Sequence, residues 1–358
     1  MSNQPVAYRC LLGPAVFLVL CLPATAQEAD AGSQIDWVTL VMGALGGLAL
    51  FLYGVDILAG SLKQAQGGRF EKLLKRSSSN RLLALGSGTA ATVALDSSSV
   101  VIILLITIVD AGLMPFTNAL SVILGANIGT TFSSQIFAWN VDTYAPLPIA
   151  AGLLWKALGK SERAKRNATI LLGLGLVLFG LNIIGTAAEP LKDHPGIIAW
   201  LRELENPVLG VLAGALVTIA IQSSSAMMGI VITLSGTGVI TLPAGIAIML
   251  GAEIGTCADT LVTTMGRSRA AVKVGIFHLL FNAISVAIGI LLIDQLARFG
   301  AATASDTGQR IANAHVLFNV VGAFAMVPFV GRLSALLDRL VPERGQAIKV
   351  STPLPQSS

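Results

Sequence analysis

Charged residues and cysteines are scarce in this sequence. Asp, Glu, Lys and Arg make up 12% of the 358 residues, about half the share of roughly 25% that is typical of soluble domains. The three cysteines, Cys10, Cys21 and Cys257, show no metal-ligand spacing, and the last has no plausible disulfide partner. The composition therefore argues against an ordinary soluble domain, a zinc module and a disulfide scaffold.

Apolar residues are abundant and are grouped in long blocks. They make up 54% of the chain, and the mean hydropathy is +0.78. Blocks of this length are typical of helices that span a bilayer, so the sequence predicts an all-α integral membrane protein. The net charge of +4 comes from short Lys and Arg runs between these blocks. This pattern indicates a lipid bilayer as the partner rather than a nucleic acid.

The N-terminus resembles a secretory signal. Arg9 precedes an apolar stretch over 11–22, and Ala24-Thr25-Ala26 forms a small-x-small cleavage pattern. We expect residues 1–26 to be a signal peptide whose removal leaves the mature N-terminus in the periplasm. The alternative is an uncleaved membrane anchor.

Seven apolar segments are long enough to be predicted as transmembrane helices. Two further blocks, 82–109 and 208–235, are interrupted by polar Ser runs and are predicted to be re-entrant helical hairpins, because broken helices at membrane depth are tolerated where they line a cavity. The seven segments are 37–60, 115–137, 145–159, 168–187, 242–264, 274–293 and 311–331.

The distribution of Lys and Arg predicts the orientation. With an external N-terminus, the loops 61–81, 160–166 and 266–273 and the tail from 332 are cytoplasmic and carry 6, 4, 3 and 4 of these residues. The external loops 188–206, 294–310 and 138–144 carry 2, 2 and none. This asymmetry supports a multi-pass protein of a bacterial inner membrane with its C-terminus in the cytoplasm.

An internal repeat with an offset of 126 residues organises the chain. Leu95-Asp-Ser-Ser-Ser99 recurs as Ile221-Gln-Ser-Ser-Ser225, and the run Gly-Ala-Asn-Ile-Gly-Thr from 125 recurs as Gly-Ala-Glu-Ile-Gly-Thr from 251. We predict repeat 1 over 27–165, repeat 2 over 166–292, and a final helix with a cytoplasmic tail over 293–358. Three crossings separate the starts of the repeats, so they are predicted to be inverted, which is typical of secondary transporters.

The two Ser-rich tips have the chemistry of an ion-binding site. A half-helix that begins at a Ser turn offers free N–H groups, hydroxyl donors and a positive dipole end, which suit an oxyanion such as phosphate. Hydroxyl and amide oxygens are also suitable ligands for sodium. The alternative is that these Ser and Thr side chains only allow close helix packing.

These motifs, with the His-Leu-Leu-Phe-Asn run from His278, resemble the type II sodium/phosphate cotransporter family over roughly residues 40–330. The resemblance implies sodium-driven transport of inorganic phosphate, with sodium as the coupling ion and no other cofactor. Bacterial members often carry a C-terminal PhoU-like domain, which we do not expect here. The predicted substrate residues are Ser97, Ser98, Ser99, Gln222, Ser223, Ser224 and Ser225; the predicted cation ligands are Asp96, Asn127, Thr130, Thr131, Gln222, Glu253 and Thr256.

Two carboxylates depart from the family pattern. Asp96 stands where the family has Gln, and Glu253 where it has Asn. Three interpretations remain open: extra sodium ligands, protonated groups that couple transport to protons, or a substrate other than phosphate. A channel and an intramembrane protease are further alternatives, but the expected protease motifs are absent and we do not expect an enzyme. A homodimer is possible on this sequence.

Overall fold

The computed structural model describes residues 35–66, 71–74, 80–139 and 141–342. All regular secondary structure in these ranges is helical, which confirms the all-α class. The predicted signal peptide over 1–26 and the last part of the predicted tail, from 343, lie outside the described residues.

The α-helices that lie wholly within the described ranges are numbered in chain order, and short 3₁₀ turns connect several of them. They are α1 (Trp37–Gln66), α2 (Arg81–Leu95), α3 (Ser98–Asp110), α4 (Phe116–Ala138), α5 (Pro146–Leu158), α6 (Glu162–Ala188), α7 (Pro195–Arg202), α8 (Pro207–Ile221), α9 (Ser224–Gly236), α10 (Leu242–Gly255), α11 (Cys257–Thr263), α12 (Arg269–Leu291), α13 (Ile293–Thr303), α14 (Thr307–Met326) and α15 (Val330–Leu340).

Among the described residues, five helical segments are long and apolar enough to cross a membrane. A sixth is possible if 195–205 and 207–221, which meet at 97°, form one broken span. The five segments are Trp37–Ala65, Glu162–Asp193, Leu242–Thr263, Arg269–Leu291 and Thr307–Leu340.

The two remaining predicted crossings correspond to α4 and α5. Helix α5 has 13 residues and is about 20 Å long at 1.5 Å per residue, which is shorter than the hydrocarbon core. Helix α4 has 23 residues, but polar side chains interrupt its apolar character and most of it is buried inside the protein. The prediction of seven crossings therefore stays a prediction.

Each predicted hairpin is a pair of helices joined by a tight turn. The first pair covers 81–95 and 98–110, and the second covers 207–221 and 224–236. Every boundary of the second pair lies 126 residues after its counterpart, so the repeat in sequence is also a repeat in helix boundaries. Their re-entrant placement and their inversion concern the membrane and stay predictions.

Close helix contacts through glycine hold each hairpin against the helix that follows it. A Cβ atom at Gly88 on α2 would lie 2.1 Å from the carbonyl oxygen of Val122 on α4. A Cβ atom at Gly214 on α8 would lie 2.1 Å from the carbonyl oxygen of Ile248 on α10. The backbones approach this closely because glycine has no side chain, as is common where helices pack within membranes.

The buried apolar side chains form three clusters. One joins α2, α3 and α4 to α12, for example through Leu120 and Phe277. A second joins α8, α9 and α10 to α14, for example through Met228 and Phe318. The third lies mainly between α1 and α6. Helices α12 and α14 thus each complete the core around one hairpin.

Candidate functional site

The hairpin turns have an unusual backbone conformation at equivalent positions. Asp96 (φ 51°, ψ 33°) ends α2 and Gln222 (φ 59°, ψ 29°) ends α8. They are the only residues other than glycine with positive φ in the described part of the chain. This conformation costs an L-residue roughly 1–2 kcal/mol, and such strain is concentrated at functional sites.

A serine caps the second helix of each hairpin. The Oγ of Ser97 accepts a hydrogen bond from the N–H of Val100 at 3.2 Å, and the Oγ of Ser223 accepts one from the N–H of Ala226 at 3.1 Å. Both serines have an extended backbone. The Ser triplets therefore form helix starts, where N–H groups lack partners within the helix.

The two turns meet at one small cavity, which we call the tip cavity. It has about 20 Å³ of space for the centre of a water molecule. The structure thus brings together all seven predicted substrate residues and Asp96, although the two segments lie 126 residues apart. The lining residues are Asp96, Ser97, Ser98, Ser99, Gln222, Ser223, Ser224 and Ser225.

The first tip makes polar contacts beyond the cavity, and one of them is a side-chain hydrogen bond between Ser99 and Asp259 on α11. The Oγ of Ser133 on α4 donates a hydrogen bond to Oδ1 of Asp96. The Oγ of Ser99 lies 3.3 Å from Oγ1 of Thr256, a predicted cation ligand between α10 and α11. The oxygen-bearing side chains of Ser133, Thr256 and Asp259 therefore stand directly behind the first tip, and Thr256 and Asp259 link it to the second half of the protein.

Three predicted cation ligands on α4 do not line the tip cavity. Asn127, Thr130 and Thr131 are buried, and they donate hydrogen bonds to backbone carbonyls of their own helix, Ile123, Ala126 and Ile128. Such local bonds satisfy their donors without a ligand. Their oxygens can still act as acceptors, so their role as cation ligands stays a prediction.

Glu253 lies in a buried hydrogen-bond network instead of the tip cavity. Its Oε1 is 2.9 Å from Nε2 of His315 and accepts a hydrogen bond from Nδ2 of Asn319 at 2.7 Å. The Nδ1 of His315 is 2.8 Å from Oγ of Ser134 on α4. His315 therefore connects the two halves, and with Asn319 on the same face of α14 it bonds this helix to α4 and α10.

The second His and Asn pair, on α12, is arranged differently. Oγ1 of Thr260 donates to the carbonyl of Cys257 at 2.9 Å, so Nδ1–H of His278 donates to Thr260 at 3.0 Å. Nδ2 of Asn282 donates to Sγ of Cys257 at 3.3 Å. Nε2 of His278 and Oδ1 of Asn282 have no partner among the described residues.

Sequence reasoning missed Ser133 and Ser134 as partners of Asp96 and His315. They lie two and three residues after the end of the Gly-Ala-Asn-Ile-Gly-Thr-Thr run on α4. Residues seven apart lie close together on one helix face, so the spacing of Ser134 from Asn127 was the available signal.

Comparison with known proteins identifies the family. The Na+/Pi-cotransporter family matches residues 50–186 and 197–318, which covers both tips and most of the helices described above. No solved structure gives a significant match.

Three relatives show the range of the similarity. YjbB of Salmonella typhimurium, provisionally named an inorganic phosphate export protein, is 27% identical over 83% of this chain and 55% of its own length. The uncharacterized protein YqeW of Bacillus subtilis is 28% identical over 83% of this chain and 97% of its own length. The human sodium-dependent phosphate transport protein 2C is 34% identical over 31% of this chain and 20% of its own length.

The chain thus spans about half the length of YjbB and nearly all of YqeW. The family match covers well over half of the chain, and it confirms the resemblance that the paired Ser triplets indicated. This chain belongs to the Na+/Pi-cotransporter family.

Proposed function

We propose that this chain is a sodium-coupled symporter of inorganic phosphate in a bacterial inner membrane and that phosphate binds between the two hairpin tips. One observation carries the proposal: two Ser triplets from distant parts of the chain line the same cavity. Packing alone would not require two strained turns and two helix starts to face each other.

The electrostatics of the tip cavity suit an anion without a basic side chain. Among the described residues no Lys, Arg or His lines it, but α3 and α9 both begin there. Each helix start carries a partial charge of about +0.5 and free N–H donors. Together with the serine hydroxyls, these groups would bind phosphate oxygens from two sides.

Asp96 gives sodium a specific task in this proposal. An ionised carboxylate about 4 Å from a phosphate charge opposes it by about 4 kcal/mol per unit charge at an effective dielectric near 20. A sodium ion bound to Asp96 would reverse that interaction and make phosphate binding depend on sodium. Oxygens of Ser99, Ser133 and Thr256 lie close enough to Asp96 and its tip to act as further ligands of this sodium ion. Asn127, Thr130 and Thr131 are proposed as additional sodium ligands from α4.

The size of the tip cavity implies movement. Its space accommodates roughly one water-sized particle, which is less than a phosphate ion needs, so the tips would separate to admit the substrate. In the proposed arrangement the repeats over 27–165 and 166–292 are inverted, and rocking of one half against the other gives each side access in turn.

The names of the relatives support phosphate as the substrate. The direction of phosphate transport then depends on the phosphate and sodium gradients. The name of human protein 2C specifies sodium-dependent phosphate transport, and the provisional name of YjbB specifies phosphate export. A symporter moves its solutes in the direction that the combined phosphate and sodium gradients favour. One mechanism therefore allows both uptake and export of phosphate. We propose the orientation expected from the Lys and Arg distribution, with a periplasmic N-terminus and a cytoplasmic C-terminus.

Coupling to protons is the second candidate, and Glu253 favours it. This carboxylate is buried, with 4% of its surface exposed, and its Oε1 faces the donors of His315 and Asn319. A carboxyl and an imidazole at membrane depth are typical of proton-coupled transporters. In that case Glu253 and Asp96 exchange protons during transport.

Phosphate uptake into proteoliposomes tests the proposal. Purified protein is reconstituted, and radioactive phosphate uptake is measured with an inward sodium gradient, with an inward proton gradient and with neither. Sodium-driven uptake supports the symporter, and proton-driven uptake supports the second candidate. Phosphate flux that depends on neither the sodium gradient nor the proton gradient would instead indicate a channel. Absence of phosphate flux under all three conditions contradicts both candidates.

A triple variant tests the site. Changing Ser223, Ser224 and Ser225 to Ala removes three hydroxyls at the second tip and should abolish phosphate uptake while the protein still inserts into membranes. Ser87→Ala is the matched control, because the buried Ser87 hydroxyl bonds only to the carbonyl of Ala84 on its own helix. Near-normal uptake by the triple variant would remove the tip cavity from the proposal.

A further inference from the structure

A second cavity lies at the start of α2, at the opposite end of this helix from the first tip. We call it the Arg81 cavity. It is lined by the starts of α2 and α4 and the first turns of α15, and it has about 210 Å³ of space for the centres of water molecules. It shares no lining residue with the tip cavity. On the predicted topology, the start of α2 and all of α15 lie at the cytoplasmic face.

Polar side chains without partners face the Arg81 cavity. Ser121 and Ser334 line it with only 2% and 3% of their surfaces exposed. Neither hydroxyl makes a hydrogen bond with a described residue, and the same holds for the side chains of Thr117 and Asn118 in the lining. Buried polar groups are nearly always hydrogen-bonded, so the two buried and unpaired hydroxyls of Ser121 and Ser334 at one cavity point to a ligand, with the half-buried Asn118 and the exposed Thr117 beside them.

The charge around the Arg81 cavity is positive. Nη1 of Arg81 donates to the carbonyl of Val327 at 3.4 Å, and no carboxylate pairs with Arg81 in the described part of the chain. Helix α4 begins at the cavity, and its cap residue Pro115 supplies no capping side chain. Asp338 on α15 is paired with Lys273 at 2.6 Å and does not line the cavity.

The repeat shows that helix packing does not require this polar lining. Arg81, Thr117, Asn118 and Ser121 correspond, at the offset of 126, to positions in the second half that carry no hydrogen-bonding side chain. Those positions are Pro207, Pro243, Ala244 and Ala247. The second half packs the same pair of helices without these groups, so the lining belongs to the cavity and its contents.

We propose that the Arg81 cavity binds a phosphate group at the cytoplasmic face, separately from the transport site. A guanidinium, a helix start and hydroxyl donors form the set of groups that binds phosphate oxygens in proteins. The group belongs either to free inorganic phosphate or to the headgroup of an anionic phospholipid. The proposal does not rest on transport at the tips.

Protection of a cysteine from labelling tests this proposal. Thr117 is exposed at the edge of the cavity, so Thr117→Cys gives a thiol that a membrane-impermeant maleimide reaches. The chain also carries the triple Ala change at 223–225, so that phosphate cannot act through the tips. The same chain without Thr117→Cys measures labelling of the native cysteines.

The expected result is slower labelling when a phosphate group occupies the cavity. In detergent, phosphate at about ten times its Kd should slow labelling about tenfold compared with chloride at equal ionic strength. In vesicles, protection by phosphatidylglycerol but not by phosphatidylcholine alone identifies a headgroup instead. Absence of protection in both arms overturns the proposal.

Arg81→Gln should remove the protection in whichever arm shows it. Arg332→Gln is the matched control, since Arg332 is exposed on the same helix as Ser334 and does not line the cavity. If Arg81→Gln does not fold, the double change of Ser121 and Ser334 to Ala replaces it. Protection that survives both the Arg81 and the Ser changes also overturns the proposal.

Discussion

Glu253 on α10 and His315 on α14 form a buried pair in which Oε1 and Nε2 are 2.9 Å apart. Only 4% and 2% of their surfaces are exposed. His315 also contacts Ser134 on α4, so this pair ties the helix behind the first tip to the helix behind the second. Its removal should affect the stability of both halves.

The first prediction concerns that stability. His315→Leu leaves the buried carboxyl of Glu253 with Asn319 as its remaining hydrogen-bond partner, and loss of one hydrogen-bond partner by a buried polar group costs about 1–3 kcal/mol. We expect a marked fall in the apparent melting temperature of the purified protein in detergent.

The double change of His315→Leu with Glu253→Gln provides the control. The amide of Gln in place of Glu253 removes the buried carboxyl that has lost its imidazole partner, so the double variant should recover part of the lost stability. With Glu253→Gln alone as the third variant, losses of stability that simply add in the double variant would show that the two residues are not coupled.

The second prediction concerns Asp96 and sodium. Asp96→Gln makes the first tip resemble the second, where Gln222 stands, and replaces a full negative charge with an amide dipole. If Asp96 is an ionised sodium ligand, the apparent sodium affinity should fall while phosphate transport survives. If Asp96 carries a coupled proton, the variant should lose the pH dependence of transport instead.

Phosphate uptake measured against sodium concentration at two pH values separates these outcomes. Asp56→Asn is the control, because Asp56 is exposed on α1 and does not line the tip cavity. A wild type without phosphate uptake and an Asp96→Gln variant that gains it would indicate a different natural substrate. Four unchanged curves would exclude Asp96 from the site.

The sequence predicted the tips well because turn chemistry is local. A polar residue and a Ser triplet inside an apolar block indicate a broken helix, and the repeat at 126 residues paired the two breaks. The resulting set of eight residues lines one cavity. Which side chains stand behind the tips depends on how α4 and α10 are rotated, and one sequence does not fix that rotation.

The Gly-Ala-Asn-Ile-Gly-Thr-Thr run shows this difference. Its Asn and Thr residues suggested ligands, yet their donors bond to their own helix. Its glycines make the closest contacts: a Cβ at Gly125 would overlap the carbonyl of Leu85, and one at Gly129 would lie 2.6 Å from Cβ of Thr92. Glycines four apart on one face allow helices to approach closely, which accounts for much of the motif.

The third prediction follows from these glycine contacts. Gly88→Ala places a Cβ 2.1 Å from the carbonyl oxygen of Val122, so α2 must move away from α4. Overpacking of this kind costs about 1–3 kcal/mol or more, and we expect a lower melting temperature and loss of phosphate uptake. Gly214→Ala should have the same effect, because its Cβ would meet Ile248 at the same distance.

Gly86→Ala is the matched control on the same helix. No atom lies within 4 Å of a Cβ at Gly86, and alanine is favoured over glycine within a helix by about 1 kcal/mol. This variant should be as stable as the wild type or more stable. A similar loss in Gly86→Ala and Gly88→Ala would show that general helix perturbation, and not the contact with Val122, is responsible.

The last prediction addresses the inversion of the two halves. Ala111 follows the first hairpin and Thr237 follows the second, and the two positions correspond at the offset of 126. If the halves are inverted, Ala111→Cys should react with an impermeant maleimide only from the cytoplasm, and Thr237→Cys only from the periplasm. Both residues are at least partly exposed, so the thiols are within reach of the reagent.

A second pair of positions checks that α12 crosses the membrane. Met265 and Ser305 are exposed on opposite sides of α12 in the chain, so Met265→Cys should be labelled from the cytoplasm and Ser305→Cys from the periplasm. Labelling of Ala111→Cys and Thr237→Cys from the same side, with the Met265 and Ser305 variants still on opposite sides, would mean that the halves are parallel. Alternating access by rocking of inverted halves would then be wrong, even though the tips still share one cavity.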